Sequence, residues 1–357
     1  MDRDLRNKIQ RATQAARRLL ENEFAEQLEG AYDIQRVGEI EPTKSKQLSA
    51  QDLLTREKLV AAIQRHRLLG ASGAEAVSEY LREAAFTTLN RFVALKMLEA
   101  RKLVQECVTQ GDHSAGFKEF AGLAPGLAQR EDRGYRLYIE SIYDEIGQDV
   151  GVLFDRRDPA GIVWPRRRAL AELLAILRDP ELEAVWVEGE TIGWVYQYFN
   201  SVEERKKMRD ESGPPRNSRE LAVRNQFFTP RYVVQFLVDN TLGRMWLEMY
   251  GDTSALSERC EFFVSPSDET IAQRPKKDPR DLRILDPACG SGHFLLYSFD
   301  LLLTIYDEAW DDESSAVAST LTGRTLREDY PDIETLRMAT PALIVEHNLF
   351  GVEIDPR

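Results

Sequence analysis

Arg283-Ile284-Leu285-Asp286-Pro287-Ala288-Cys289-Gly290-Ser291-Gly292-His293-Phe294-Leu295 joins the end of an apolar strand to the start of an apolar helix through a glycine-containing turn. That succession predicts an α/β fold. Gly290 and Gly292 let the backbone turn tightly and come close to a ligand with no Cβ in the way. The N-terminus of the helix that follows offers unpaired N–H groups to a polar or anionic ligand. Asp286, at the strand end, can meet a ligand's ammonium group directly or through water. A Gly-x-Gly alone describes many strand–turn–helix corners. The full heptad from Asp286 to Gly292 is far more specific.

Two further segments carry chemistry. Asn348-Leu349-Phe350-Gly351-Val352-Glu353-Ile354-Asp355-Pro356 reads as a short buried strand ending in an acid. In nucleotide-binding α/β sheets, an acid at the end of the second strand binds ribose hydroxyls, and Glu353 fits that role. Such an acid ordinarily follows the glycine turn by about 20 residues. Here 61 positions separate Gly292 from Glu353, so the polar stretch 311–334 is expected to be an insertion, with room for a short helix. Upstream lies Asn225-Gln226-Phe227-Phe228-Thr229-Pro230-Arg231-Tyr232-Val233-Val234-Gln235-Phe236-Leu237-Val238. Thr229 is the expected N-cap of a helix and Pro230 its first residue, with Val233, Phe236 and Leu237 along one face.

The first half of the chain reads as helical. Apolar residues recur at helical spacing from Leu5 to Leu28, from Leu53 to Leu69 and from Ala74 to Val104. Residues 167–177 form another such pattern, ended near Asp179-Pro180, and Trp194, Tyr196, Tyr198 and Phe199 fall on a helix starting near Glu190-Thr191. Gly213-Pro214-Pro215, inside a charged stretch, cannot continue a helix. The expected organisation is a helical domain over 1–205, a linker over 206–222 and an α/β domain over 223–357. Residues 265–280, with three prolines, read as a surface loop.

Composition narrows the class. Of the 357 residues, 43% are hydrophobic and 30% charged, an ordinary balance for a globular protein. No apolar run reaches the roughly 18 to 20 residues of a membrane span, and the charged N-terminus does not read as a secretory signal. Cys107, Cys260 and Cys289 lie far apart, as do His66, His113, His293 and His347. Neither a disulfide framework nor a metal site is expected, and a reducing cytoplasm is the expected location. The net charge is −13, and residues 220–357 hold 24 acids and 13 bases. A strongly basic DNA-gripping face is therefore not expected within this sequence.

The segment Asp286 to Gly292 is similar to motif I of the DNA amino-methyltransferases, Glu353 and its strand to motif II, and Phe228-Thr229-Pro230 to motif X. The resemblance implies an S-adenosylmethionine site in a Rossmann-like domain. It assigns the glycine loop (Asp286, Pro287, Ala288, Cys289, Gly290 and Gly292) to the methionine part, closed over by Phe228, Thr229 and Pro230. Glu353 would bind the ribose, and Ile354 would lie against the adenine. The motif order X, I, II resembles the γ class, in which an Asn/Asp/Ser-Pro-Pro-Tyr/Phe tetrad orients the target amine downstream. This sequence holds no such tetrad, since Ser212-Gly213-Pro214-Pro215-Arg216 lacks the aromatic residue and stands in the wrong place. No catalytic residue is therefore assigned, the Rossmann-like domain is expected to be incomplete, and the chain alone is expected not to methylate DNA.

The helical part adds to the resemblance. The stretches from Phe86 to Glu99 and from Glu190 to Asn200 look like the leader of large bacterial defence methyltransferases, namely the PglX-type enzymes of BREX phage-defence systems and related type IIG restriction–modification fusions. That likeness implies site-specific methylation of adenine N6 in double-stranded DNA, with DNA held mainly by regions downstream and with defence-system proteins as partners. Two other readings use the same motifs: an RNA or protein-glutamine amino-methyltransferase, and a non-catalytic helical interaction module. Glu41 and Lys44 only loosely match the acid–x–Lys pattern of nucleases, because Pro42 and Thr43 stand between them, and no nuclease is assigned.

Overall fold

In the computed structural model, which describes residues 1, 3–40, 48–129, 133–148, 150–200, 202–216, 218–225, 227–251, 253–265, 274–312 and 316–353, the chain divides between Lys206 and Lys207 into two units. The first unit is built of helices: α1 (Arg3–Tyr32), α2 (Ala50–Leu68), α3 (Gly73–Ala100), α4 (Ala115–Leu123), α5 (Gly134–Ile146), α6 (Arg167–Leu177) and α7 (Thr191–Phe199). Buried residues run along α3 from Ala76 to Met97, with α1, α2 and α7 packed against it. Its start is a capping box: the Ser72 hydroxyl accepts from the Glu75 N–H, and the Glu75 carboxylate accepts from the Ser72 N–H. Phe86 of α3 meets Phe199 and Tyr196 of α7 edge-on, at 5.0 and 5.8 Å between ring centres. The two leader segments thus form core against each other. After α3, Glu99 accepts the N–H groups of Cys107, Val108 and Thr109. Burial pushes this carboxyl up, but hydrogen bonds from Thr109, Lys96 and the backbone outweigh burial and hold it below its usual range.

Helix α8 (Val202–Glu211) contains the boundary, and α9 (Ser218–Asn225) follows it, so most of the expected linker is helical. The second unit continues with α10 (Arg231–Val238), a wide π-type turn (Asp239–Gly243), α11 (Arg244–Tyr250), β1 (Ile284–Asp286), α12 (His293–Asp311), the short helix Leu326–Asp329, α13 (Ile333–Leu343), a second π-type turn (Ile344–Asn348) and β2 (Leu349–Gly351). Strands β1 and β2 pair in parallel, Leu285 opposite Phe350 and Asp286 opposite Gly351. The described residues are therefore mostly helical, with one β–α–β unit around this small sheet. Helix α12 is its spine: Leu301, Leu302 and Ile305 are fully buried against Val234 and Val238 of α10 and against Leu336.

Asn348 joins these parts. Fully buried, it donates from Nδ2 to the carbonyls of Pro279 (2.7 Å) and Leu282 (2.9 Å), and its Oδ1 accepts from the Tyr306 hydroxyl (3.0 Å). One side chain so ties the approach to β1, the start of β2 and the middle of α12.

Three expectations are refined. Between α12 and β2, the 311–334 insertion holds the expected short helix, Leu326–Asp329, but α13 then follows. The insertion is pinned by buried Arg280, which pairs with Asp278 (2.8 Å) and Asp329 (2.5 Å). The cap of α10 is Pro230 rather than Thr229, with no side-chain cap bond; Pro230 is extended at ψ 143°, and the Val233 and Val234 N–H groups donate to its carbonyl. The face of α10 turned inward carries Val234 and Val238, whereas Phe236 and Leu237 are exposed. Six of the eight residues of α10 are apolar, so both stripes are hydrophobic and only packing against α12 selects between them. Half of the 265–280 loop, residues 266–273, lies outside the described residues, as do 41–47, which carry Glu41 and Lys44.

Candidate cofactor site

The glycine turn takes the shape its sequence demands. Gly290 and Gly292 have φ of +53° and +78°, the left-handed region that favours glycine. A Cβ on Gly290 would meet nothing closer than Glu353 Oε2 at 4.0 Å, and one on Gly292 nothing within 4 Å. Backbone conformation therefore requires these glycines, while the space beside them is open. Gly351 is required by contact instead. A Cβ there would lie 2.9 Å from Cys289 Sγ and 3.0 Å from Leu295 Cδ1.

The two strand ends are laced together. The Val352 N–H donates to the Asp286 carbonyl (2.9 Å), and the Cys289 N–H donates to the Val352 carbonyl (3.0 Å). Beyond them, Gly290 N–H donates to Glu353 Oε2 at 2.7 Å, a charge-assisted bond across 63 positions of sequence. A carboxylate has room for about four hydrogen bonds, and this contact uses one of them. Asp286 accepts the Ala288 N–H on Oδ1 (3.1 Å), the local turn that acids favour. Its Oδ2 is buried and has no hydrogen-bond partner among the described residues. An unsatisfied buried carboxylate oxygen is costly, and a cationic donor is its natural complement.

Burial pushes the Cys289 thiol up, and the nearby Asp286 and Glu353 carboxylates push it further. The thiol stays neutral, and the loop lies in the field of two acids, which suits a positively charged ligand. Pro287, Ala288 and Gly290 are exposed, so the loop is a surface that a ligand can reach.

The third segment arrives from upstream. The Phe228 ring stacks on the His293 ring, 4.6 Å between centres and 9° between planes. The Thr229 carbonyl lies 3.1 Å from His293 Nδ1. At the other end of α10, Asp239 accepts the Tyr297 hydroxyl (2.8 Å) and the Phe262 N–H (3.0 Å). Both ends of α10 are thereby tied to α12.

Thr229, Gly290 and Glu353, far apart in sequence, are thus brought into one neighbourhood, together with Phe228, Pro230, Asp286, Pro287, Ala288, Cys289 and Gly292. Ile354 lies outside the described residues. His293, Asn348 and Gly351 position the site without having been singled out from sequence. The one signal for His293 was its place immediately after the second glycine. No group of three or more His, Cys, Asp or Glu side chains that could hold a metal occurs among the described residues. Nor is any helix among them long and apolar enough to cross a membrane.

No family model matches the chain. Over 193 residues it is 33% identical to the adenine-specific methyltransferase BrxX of Escherichia coli O9:H4 (strain HS), covering 52% of this chain and 14% of that protein. Over 369 aligned residues it is 25% identical to the adenine-specific methyltransferase PglX of Lacticaseibacillus casei (strain Zhang), covering 88% of this chain and 27% of that protein. The chain therefore spans about a quarter or less of the length of these curated relatives. It is a homologue of the adenine-specific methyltransferases BrxX and PglX, alike to the second over most of its own length.

Proposed function

We propose that this chain carries the S-adenosylmethionine-binding part of an adenine-specific DNA methyltransferase of the BREX type. In this reading a helical domain over 1–205 precedes the first part of a Rossmann-like domain over 223–357. The meeting of three distant segments at one loop carries the proposal: the Phe228-Thr229-Pro230 turn, the Asp286 to Gly292 loop and Glu353. The names of the homologues support the reaction class.

The residues fit the cofactor on their own chemistry. Asp286, with its unsatisfied Oδ2, would hold the ammonium of the amino-acid end. Loop residues 287–292 and the Phe228-Thr229-Pro230 turn would enclose that end and exclude water from it. Glu353 would take the ribose hydroxyls, and Ile354 would flank the adenine. When bound, S-adenosylmethionine supplies a methyl group activated on a sulfonium. Orienting the target adenine amine needs the Asn-Pro-Pro-Tyr type of tetrad, which this sequence does not contain. Double-stranded DNA and defence-system proteins would be partners of a longer protein, with phosphate contacts mainly outside the acidic region 220–357.

Isothermal calorimetry on the 357-residue chain tests this. S-adenosylmethionine should bind with a measurable heat, and Asp286→Ala should weaken it by about tenfold or more, the worth of a hydrogen bond to a charged group. Well-folded protein that gives no binding heat sinks the proposal. The same sample should incorporate no labelled methyl group into an adenine-containing duplex.

A further inference from the structure

His293 stands where two of the site's segments touch, and its chemistry says which way the contact works. A carbonyl oxygen can only accept, so the 3.1 Å contact to Thr229 makes His293 Nδ1 the donor and fixes the proton on that nitrogen. The contact exists because Pro230 bars Thr229 from the helical conformation. The Thr229 carbonyl therefore lies outside the α10 ladder, in which the Val233 and Val234 N–H groups donate to Pro230. The same imidazole lies flat against Phe228.

Folding α10 onto α12 does not depend on this pair of contacts. Val234 and Val238 are buried in the core, and Asp239 is held by Tyr297 and the Phe262 N–H. What His293 adds is the position of the turn itself, which is exposed at Phe227 and Pro230 and lacks a side-chain cap. His293 directly follows Gly292, so its ring connects the turn to the very end of the glycine loop.

We propose that His293 is a positioning residue of the cofactor site, a latch that holds the Phe228-Thr229-Pro230 turn over the amino-acid end of S-adenosylmethionine. The proposal rests on the cofactor reading above and adds to it a residue whose contribution is confined to one end of the ligand. Glu353 and its strand, which would serve the ribose end, are bonded to Gly290, Asp286 and Cys289.

Calorimetric titration with two ligands tests this. S-adenosylhomocysteine has the amino-acid end, and adenosine lacks it. His293→Ala should weaken S-adenosylhomocysteine about tenfold and adenosine less than about twofold, because a lost hydrogen bond and a lost ring contact are each worth a few-fold in affinity. The thermal unfolding midpoint should barely move. His293→Phe keeps the stack and loses the donor, so it should lose S-adenosylhomocysteine affinity by about fivefold; it decides the matter if His293→Ala does not fold. His293→Asn, which restores a donor, should recover part of the loss. Unchanged S-adenosylhomocysteine affinity in His293→Ala or His293→Phe overturns the latch, as does equal weakening of both ligands. If the wild-type chain binds neither ligand, the cofactor reading itself fails and the latch with it.

Discussion

Replacing Asn348 by alanine removes three hydrogen bonds at once, from a side chain with no exposed surface. Each is worth about 1 kcal/mol net, giving a loss of about 3 kcal/mol. The groups left behind have little access to water: Tyr306 is fully buried and Leu282 is 2% exposed, so their orphaned polar atoms keep much of their desolvation cost. Tyr306→Phe breaks only one of the three bonds and should cost about 1 kcal/mol. Asn348→Asp nearly preserves shape but turns an acceptor toward two carbonyls. Burial and those carbonyls favour the protonated acid, so its folded pKa rises above the unfolded value. The Asp variant's deficit should then be small near pH 4 and grow as pH rises above the ordinary aspartate pKa of about 3.9. Urea unfolding yields the energies, and hydrogen exchange of peptides spanning 279–286 and 344–353 localises them. A cost below about 1 kcal/mol for Asn348→Ala, or an Asp deficit that ignores pH, would refute the role given to this side chain.

Gly351→Ala places a methyl group against Cys289 and Leu295, and the Cys289 Cβ, 3.3 Å away, cannot swing aside. It should lose about 1–3 kcal/mol of stability and weaken S-adenosylmethionine binding, both read by thermal melts and calorimetry, with part of the stability regained when Cys289→Ala is added. His66 of α2 lies between Glu79 and Glu83 of α3, at 3.4 and 3.2 Å, and the hydrogen bonds its ring donates to these two carboxylates push its pKa up to about 9. A raised histidine pKa stabilises the fold fully below the unfolded value of about 6.5, and the gain is lost as pH climbs through about 9. The gap in unfolding midpoint between wild type and His66→Gln should accordingly be widest near pH 6 and close by about pH 9.5. A gap that stays constant across this range contradicts the ion-paired assignment.

Long, strongly periodic helices were legible from sequence. The apolar spacing located α1, α2, α3, α6 and α7 to within a few residues. Helices α4 and α5 went unread: α4 carries glycines at Gly116 and Gly122, and α5 starts at Gly134 with no side-chain cap to announce it. The shape of the glycine loop could be read because its signals are local: a positive φ, a turn, a strand end. Asn348, His293 and Gly351 could not, since their partners stand 42 to 69 positions away and only His293, next to Gly292, has any local sign. The one-residue error at Thr229 has a local cause, the extended backbone of Pro230, which ends the cap one position later than side-chain preference suggests.

The distance along the chain between Gly290 and Glu353 has a consequence for biosynthesis. A ribosome adds about 5–20 residues per second, so the glycine loop emerges roughly 3 to 13 s before the acid that accepts its N–H. Until residues 333–351 follow, the inward side of α12, with Leu301, Leu302 and Ile305, has α10 to lie against but neither α13 nor the second strand. Parallel pairing of β1 with β2 waits for the whole intervening excursion to close, a non-local contact of the slow kind. A nascent chain stalled near residue 340 would therefore expose a greasy helix and an unpaired strand, a natural substrate for a chaperone that binds apolar segments as they leave the exit tunnel.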